Sequence, residues 1–279
     1  MEITDRSFDL SQTVNHTLSI RFIPDGFCFI VFNRRHKKIL HFAEFTEKGR
    51  DPKQLLKETA AGNAILKSPF EEIFCVWDTP QYTLLPSAVF DEENRERYWK
   101  LNFGESDTQH LSFFSDRLKL PDVINIYAVP VEFVVFLKEI FPSIQFINQQ
   151  SIQIIDSLFE NKKENNSQVY LQVHRDFFDA LVLQKGKIIL ANSYLFQSKD
   201  EFLYFSINLF EQLRLDPYAT EIILSGEIDE KDEKTASLRR YIQTVDFKGI
   251  AADVSGLNLK KLLHPERYIN LFNLPSCVL

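Results

Sequence analysis

The chain has 279 residues, of which 44% are apolar, 13% aromatic and 25% charged, and its formal net charge is −7. That balance excludes a disordered chain, and the length predicts two domains or one large one. An acidic chain is poorly suited to nucleic acid, where affinity comes from clustered Lys and Arg releasing counterions. No apolar run reaches the roughly 18 to 20 residues of a membrane span, and the opening MEITDRSFDLSQ is too acidic and polar for a signal or transit peptide, so a cytoplasmic protein is expected.

Residues 18–45, LSIRFIPDGFCFIVFNRRHKKILHFAEF, place Leu18, Ile20 and Phe22 on one face, then Phe27, Phe29 and Val31, each with the period of two that marks a strand. Asp25-Gly26 between them predicts a type I′ hairpin turn, which needs φ > 0 at both central residues. A third strand follows at 38–45. Asp51-Pro52 then opens a helix, with an acid at the N-cap and proline at the first helical position. Beyond it the pattern predicts strands at 72–77 and 81–85, a helix at 92–102, a strand at 123–128, a helix at 131–140, a strand at 144–148 and a helix at 150–160. NKKENNSQ, residues 161–168, is the most polar unstructured segment and reads as a linker.

The opening unit then recurs. VYLQVHRDFFDALVLQKGKIILANSYLF, residues 169–196, sets Val169, Leu171 and Val173 against Leu18, Ile20 and Phe22, and Phe178, Ala180 and Val182 against Phe27, Phe29 and Val31. A helix begins at Ser198, where Ser198 and Glu201 have the spacing of a capping box, and runs to about Leu215. Strands at 221–225 and 245–251 and helices at 231–243 and 258–264 complete the second half. Strands alternating with helices predict a mixed sheet covered on both faces.

This order, a three-strand meander, a helix, then alternating strands and helices, present twice, resembles the duplicated ribonuclease-H-like fold of the actin, sugar-kinase and Hsp70 superfamily. SIRFIPDGFCF, YLQVHRDFFDALVLQKGKIILANSYLF and DEFLYFSINLFEQLRLDP with IILSGEI are similar to a bacterial family named domain of unknown function 3822, which carries no assigned activity and whose fold is taken to be actin-like. The resemblance implies an α/β protein of two ribonuclease-H-like (actin-like ATPase) domains, here 1–162 and 163–279. In working ATPases of the superfamily the first hairpin of each half grips the phosphates, with small or hydroxyl residues at its tip.

The resemblance makes Asp25, Gly26, Asp176 and Gly226 the candidates for a remnant nucleotide site. Phe27 and Cys28 follow Gly26 where Ser, Thr or Gly is expected, and the second hairpin, His174 to Asp179, has neither glycine nor hydroxyl. Glycine occurs only 8 times and phenylalanine 26 times, so there is little of the residue that lets backbone approach a phosphate, and the aromatics read as core in preference to ligand stacking. Asp78 follows a strand, where a catalytic carboxylate can stand, although Asp-Thr-Pro is also an ordinary turn.

Three weaker features complete the reading. His174, Asp176 and Asp179 can each bind a metal, but a period of two separates Asp179 from the other two. Arg34, Arg35, His36, Lys37 and Lys38 read as a solvated hairpin tip in preference to a phosphate patch. Cys28, Cys75 and Cys277 read as small core residues. The expectation is a non-catalytic actin-like scaffold with a protein partner, no cofactor and no metal. The alternative is a divergent ATPase or kinase using Asp25, Gly26, Asp78 and Gly226 between the halves, and a second alternative is nucleic-acid binding through Arg34 to Lys38.

Overall fold

The computed structural model describes residues 1–104, 107–161, 167–250, 257, 262 and 264–277. The chain divides into two compact units, one of Met1–Ile152, Ala251–Lys261 and Asn270–Leu279, the other of Gln153–Ile250 and Leu262–Ile269.

In unit 1 a short strand β1 (Glu2–Thr4) precedes the meander β2 (Thr17–Ile23), β3 (Gly26–Asn33) and β4 (Lys38–Thr46). Helix α1 (Pro52–Gly62) starts at Asp51, whose carboxylate accepts from the Lys53 amide at 3.0 Å, with proline at the first position as the sequence requires. The chain returns as β5 (Glu72–Trp77), parallel to β2, and later as β9 (Ile144–Asn148), parallel to β5. The sheet order is β1-β4-β3-β2-β5-β9. Between β5 and β9 the chain forms β6 (Tyr82–Pro86), α2 (Arg95–Phe103), β7 (Leu111–Leu118), β8 (Val123–Pro130) and α3 (Val131–Ile140). Strands β6, β8 and β7 make a separate antiparallel sheet, and α4 (Gln149–Asn161) follows β9.

Unit 2 repeats the plan. Strands β10 (Ser167–Val173), β11 (Phe177–Gln184) and β12 (Lys187–Leu195) form the meander, followed by α5 (Lys199–Leu213), β13 (Glu221–Gly226), α6 (Glu233–Leu238) and β14 (Val245–Phe247). The order is β12-β11-β10-β13-β14, with β13 parallel to both β10 and β14. Each unit therefore has the same sequence of neighbours, third, second, first, fourth and fifth strand, and the pairs match residue for residue. Leu18↔Val31, Ile20↔Phe29 and Phe22↔Phe27 in one recur as Val169↔Val182, Leu171↔Ala180 and Val173↔Phe178 in the other. The repeat read in the sequence is thus a repeat of structure, and it agrees with the duplicated ribonuclease-H-like plan that the resemblance implies.

Phenylalanine fills the cores. Phe27 stacks on Phe45 at 5.2 Å in unit 1, and Phe178 stacks on Tyr194 at 5.3 Å in unit 2. The unit 1 core lies between the sheet and helices α1 and α3, with Leu56, Ala60, Val134 and Leu137 facing Leu18, Ile20, Phe27 and Phe29. The sheet's other face meets helix α7 (Ile269–Cys277), where Phe272 lies 5.6 Å from Phe42. In unit 2, Phe202, Leu209 and Phe210 of α5 and Leu238 of α6 pack on Val169, Leu171 and Phe178. Ser198 caps α5 by accepting from the Glu201 amide at 3.2 Å, while the Glu201 carboxylate reaches one residue further back, to the amide of Gln197 at 2.7 Å.

Several expectations change. Strands β1 and β7 carry no sequence prediction, the helix expected at 231–243 is regular only over Glu233–Leu238, and the strand expected at 245–251 spans Val245–Phe247. The helix expected at 258–264 lies, Leu262 and His264 apart, outside the described residues, as do residues 162–166 of the linker. The first hairpin is not type I′. Its two turn residues are Pro24 and Asp25, because Ile23 pairs with Gly26, and Asp25 alone takes a positive φ, 62°. Proline followed by a positive-φ residue is the signature of a type II turn. Gly26 is needed for a different reason, since a Cβ there would lie 2.0 Å from the carbonyl oxygen of Phe45 on β4. Gly26→Ala should therefore cost about 2 kcal/mol or more in urea unfolding, whereas Asp25→Gly should stay within about 1 kcal/mol. Equal costs would return the glycine requirement to the turn.

Candidate functional site at the strand ends

Ligands of open α/β sheets sit beyond the carboxyl ends of the parallel strands, where the strand order reverses. In unit 1 that point lies between β2 and β5, and two charged side chains occupy it. Arg21 of β2, opposite Val76 of β5, donates from Nε at 2.9 Å and from Nη2 at 2.7 Å to Oδ2 of Asp78, the residue after β5. The Arg21 side chain is 3% exposed and that of Asp78 is 19%. A guanidinium so buried must be neutralised internally, because a lone buried charge costs several kcal/mol. Asp78 is thus where the sequence placed a candidate carboxylate, and its charge is committed to Arg21.

A pocket of about 240 Å³ adjoins the pair, walled by Phe22, Val76, Trp77 and Phe133, with Asp51, Lys53 and Asp78 on its polar side. Sites for small molecules usually span about 300–1,000 Å³. The rings of Phe22 and Trp77 each lie 4.8 Å from that of Phe133. Lys53 donates to Glu132 at 3.2 Å and Asp51 caps α1, so the polar side offers carboxylates and an already paired lysine. That is the wrong charge for a phosphate.

The four candidates, three on the hairpins and Gly226 at a strand end, have structural partners. In unit 1 the Asp25 carboxylate accepts from the Gly49 amide at 3.3 Å and its carbonyl accepts from Glu47 N at 2.9 Å, while Gly26 lies against β4. In unit 2 Asp176 is exposed and its carbonyl accepts from Phe196 N at 3.0 Å. Gly226 ends β13 with φ 89°, and a Cβ there would lie 2.1 Å from the Val173 carbonyl oxygen. Glu227, the next residue, stands where Asp78 stands in unit 1, and its carboxylate lies 3.7 Å from Nε of Arg267.

The second hairpin overturns one parity argument. His174 and Asp179 share a face, with His174 Nε2 3.1 Å from Asp179 Oδ2, because Gln172 pairs with Asp179 across the turn and His174 lies two residues beyond Gln172. Counting by twos through the turn misses this. Ser193 also donates to Asp179, and the His174 ring stacks on Phe177 at 4.1 Å. Among the described residues no group of three His, Cys, Asp or Glu side chains is placed to hold a metal ion. The basic run is divided, with Arg34 paired to Glu72 at 2.6 Å and Lys38 to Asp5 at 2.7 Å.

Unit 1 also holds a polar network that the sequence did not signal. Asp116 of β7, a half-buried residue, turns its carboxyl group inward to accept from Tyr127 Oη at 3.0 Å, Asn148 N at 2.9 Å and Ser151 Oγ at 2.6 Å. Asn125 donates to Asn148 and Ser151, and Gln149 clasps the backbone of Thr79 in both directions. Burial of the carboxyl outweighs its three donors and pushes its pKa up to about 6 from 3.8. Burial likewise pushes the Cys75 thiol up, leaving it protonated and inert.

Two measurements check these groups. Asp78→Ala should cost about 3–5 kcal/mol by leaving Arg21 unpaired, while Arg21→Met with Asp78→Leu should cost much less; equal losses would show the pair to be incidental. A raised carboxyl pKa makes the folded state the tighter proton binder, so its contribution to stability is full below pH 3.8 and is lost as pH rises to about 6. Wild type should lose about 2–3 kcal/mol relative to Asp116→Asn between pH 4 and 7. A pH-independent difference would contradict the burial of the carboxyl.

The family model described as "Protein of unknown function (DUF3822)" matches residues 5–245. No curated protein matches the chain. Among solved structures, a protein of Bacteroides thetaiotaomicron described as having an actin-like ATPase fold and unknown function is similar over 97% of this chain and 99% of that one, at 21% identity and a TM-score of 0.82. A second, the PilM-PilN type IV pilus biogenesis complex, is similar over 95% of this chain and 97% of that one, at 10% identity and a TM-score of 0.59. At such identities the likeness speaks for the fold, which is α/β and actin-like, with duplicated ribonuclease-H-like domains. With the model spanning most of its length, the chain belongs to the DUF3822 family.

Proposed function

We propose that the chain is a non-catalytic actin-like protein that acts by binding a protein partner, with its domains divided at 162/163 and its site of action in the cytoplasm. The observation that carries this reading is the Arg21–Asp78 pair, which uses the carboxylate at the strand-order reversal to neutralise a buried guanidinium. A nucleotide-hydrolysing site needs a carboxylate free to hold Mg²⁺-bound water and amides aimed at phosphates. Here Asp25 is bonded to Gly49, and Gly26 and Gly226 are spent on close backbone contacts.

The PilM structure, similar in fold, is of a complex with PilN. From it we take only the class of ligand, another protein. Among the described residues no helix is long and apolar enough to cross a membrane.

Titration calorimetry of the full chain with Mg-ATP tests the proposal. No saturable heat is expected up to about 1 mM, the upper end of ordinary substrate affinities. Micromolar binding accompanied by phosphate release, lost in Asp25→Ala, would overturn it in favour of a divergent ATPase.

A further inference from the structure

The two units solve the outer edge of the meander differently, and the difference identifies a binding site. The third strands β4 and β12 match in detail. Val31↔His41 and Phe32↔Ile39 leave Leu40 as a bulge on β4, and Val182↔Leu190 and Leu183↔Ile188 leave Ile189 as a bulge on β12. Lys38 and Lys187 each open the strand, paired with Asn33 and Gln184. By these pairs His41, Phe42 and Glu44 correspond to Leu190, Ala191 and Ser193.

In unit 1 this edge is filled by the chain's own first residues. Ile3 pairs with Phe42, the Glu44 amide donates to the Met1 carbonyl at 2.8 Å, and the Asp5 amide donates to the carbonyl of bulged Leu40 at 2.8 Å. Thr4 Oγ1 meets His41 Nδ1 at 2.8 Å, and the Asp5 carboxylate accepts from Lys38 Nζ at 2.7 Å. Leu40 is 3% exposed. In unit 2, among the described residues, β12 pairs only with β11 and Lys187 makes no ion pair. Ile189 is 47% exposed and Leu195, at the strand's other end, is 65% exposed.

We propose that the free edge of β12 binds an extended segment of the partner protein as an added antiparallel strand, with apolar residues facing Ala191 and Leu190 and an acid placed to meet Lys187. This rests on the protein-partner reading above and locates it. Among the described residues no strand pairs with the outer edge of β12, whose backbone there supplies a row of amides and carbonyls for an added strand. Charge favours an acidic segment, since β12 has no acid and Lys185 and Lys187 are both exposed. Leu190 in place of His41 removes the polar clasp on threonine and favours an apolar residue. A bulge and a terminal lysine often guard edges against unwanted pairing. They do not forbid it here, because β4 has both and is nevertheless occupied.

The test uses the full chain and a fluorescent peptide of its own first eight residues, MEITDRSF, with Thr4→Val to suit Leu190. The β1 segment already tethered on β4 excludes the peptide from unit 1 through its high effective concentration. Saturable anisotropy is expected, weakened about fivefold by Lys187→Glu and recovered when the peptide carries Asp5→Lys, the scale of one exposed ion pair. Ala191→Pro should abolish binding, because residue 191 shares its amide direction with Ser193, the counterpart of outward-donating Glu44, and proline is tolerated at such edge positions. No binding, or binding indifferent to both variants, would overturn the site. A dimer of the full chain that Ala191→Pro dissociates would assign the edge to a second copy and likewise overturn it. These outcomes are independent of the Mg-ATP titration, so failure of the strand site and failure of the non-catalytic reading are told apart.

Discussion

The central strand of each unit is hydrogen-bonded along both edges and covered on both faces, and this constraint governs everything at its carboxyl end. Strands β2 and β10 each contain five consecutive buried residues. A polar side chain that leaves such a strand has no water to meet, so its partner must come from the protein. On β2 this brings Arg21 to Asp78; at the end of the edge strand β9 the buried Asn148 and Gln149 are likewise held by protein groups, Asn125 and the backbone of Thr79. In an enzyme of this architecture the same strand ends face a ligand, which supplies the missing charges from outside. In unit 1 the charge of Arg21 is met from within, by Asp78.

The duplication separates what the fold requires from what each copy chose. Both copies keep the stacked pair beneath the hairpin, Phe27 with Phe45 and Phe178 with Tyr194, because a ring at that place fills the space between sheet and first helix. Both also keep an acid after the first parallel strand returning to the centre, Asp78 and Glu227. The arginines come from different places, Arg21 on the central strand of unit 1 and Arg267 near the C-terminus in unit 2. The position of the acid follows from the shared plan, whereas its neutralisation follows from local packing. Cys28 and Asp179 occupy the same place on the second strand, opposite Glu44 and Ser193, and the copy with a buried acid there supplies His174 and Ser193 to hold it.

How much was visible in the sequence follows from the range of each signal. Alternation in 18–31 and 169–182, and the caps at Asp51 and Ser198, depend on neighbours a few residues apart, so the meanders and first helices could be read directly. Arg21 and Asp78 are 57 residues apart and meet only through the parallel register of β2 and β5. Strand β7, LSFFSDRL, is half-exposed along most of its length, which removes the alternation that would reveal it, and Asp116 was hidden with it. Gly26 suits two explanations in sequence, a turn residue or a close approach, and the Ile23–Gly26 pairing, the positive φ at Asp25 alone and the 2.0 Å approach of Phe45 together distinguish them.

Strand β1 is the most instructive omission. Three residues carry no periodic signal, and its anchors, His41 and Lys38, lie more than thirty residues further on, by the separations of 37 and 33 for Thr4–His41 and Asp5–Lys38. Yet its presence changes the meaning of its counterpart. An exposed edge in isolation is only a hazard that bulges and lysines restrain. An edge whose twin is occupied, with a matching bulge, a matching lysine and an apolar residue in place of the histidine clasp, has the backbone geometry on which a strand is seated in the other unit. Exposure at Ile189 acquires its significance from burial at Leu40, and the two values can be compared because the same fold was built twice from one chain.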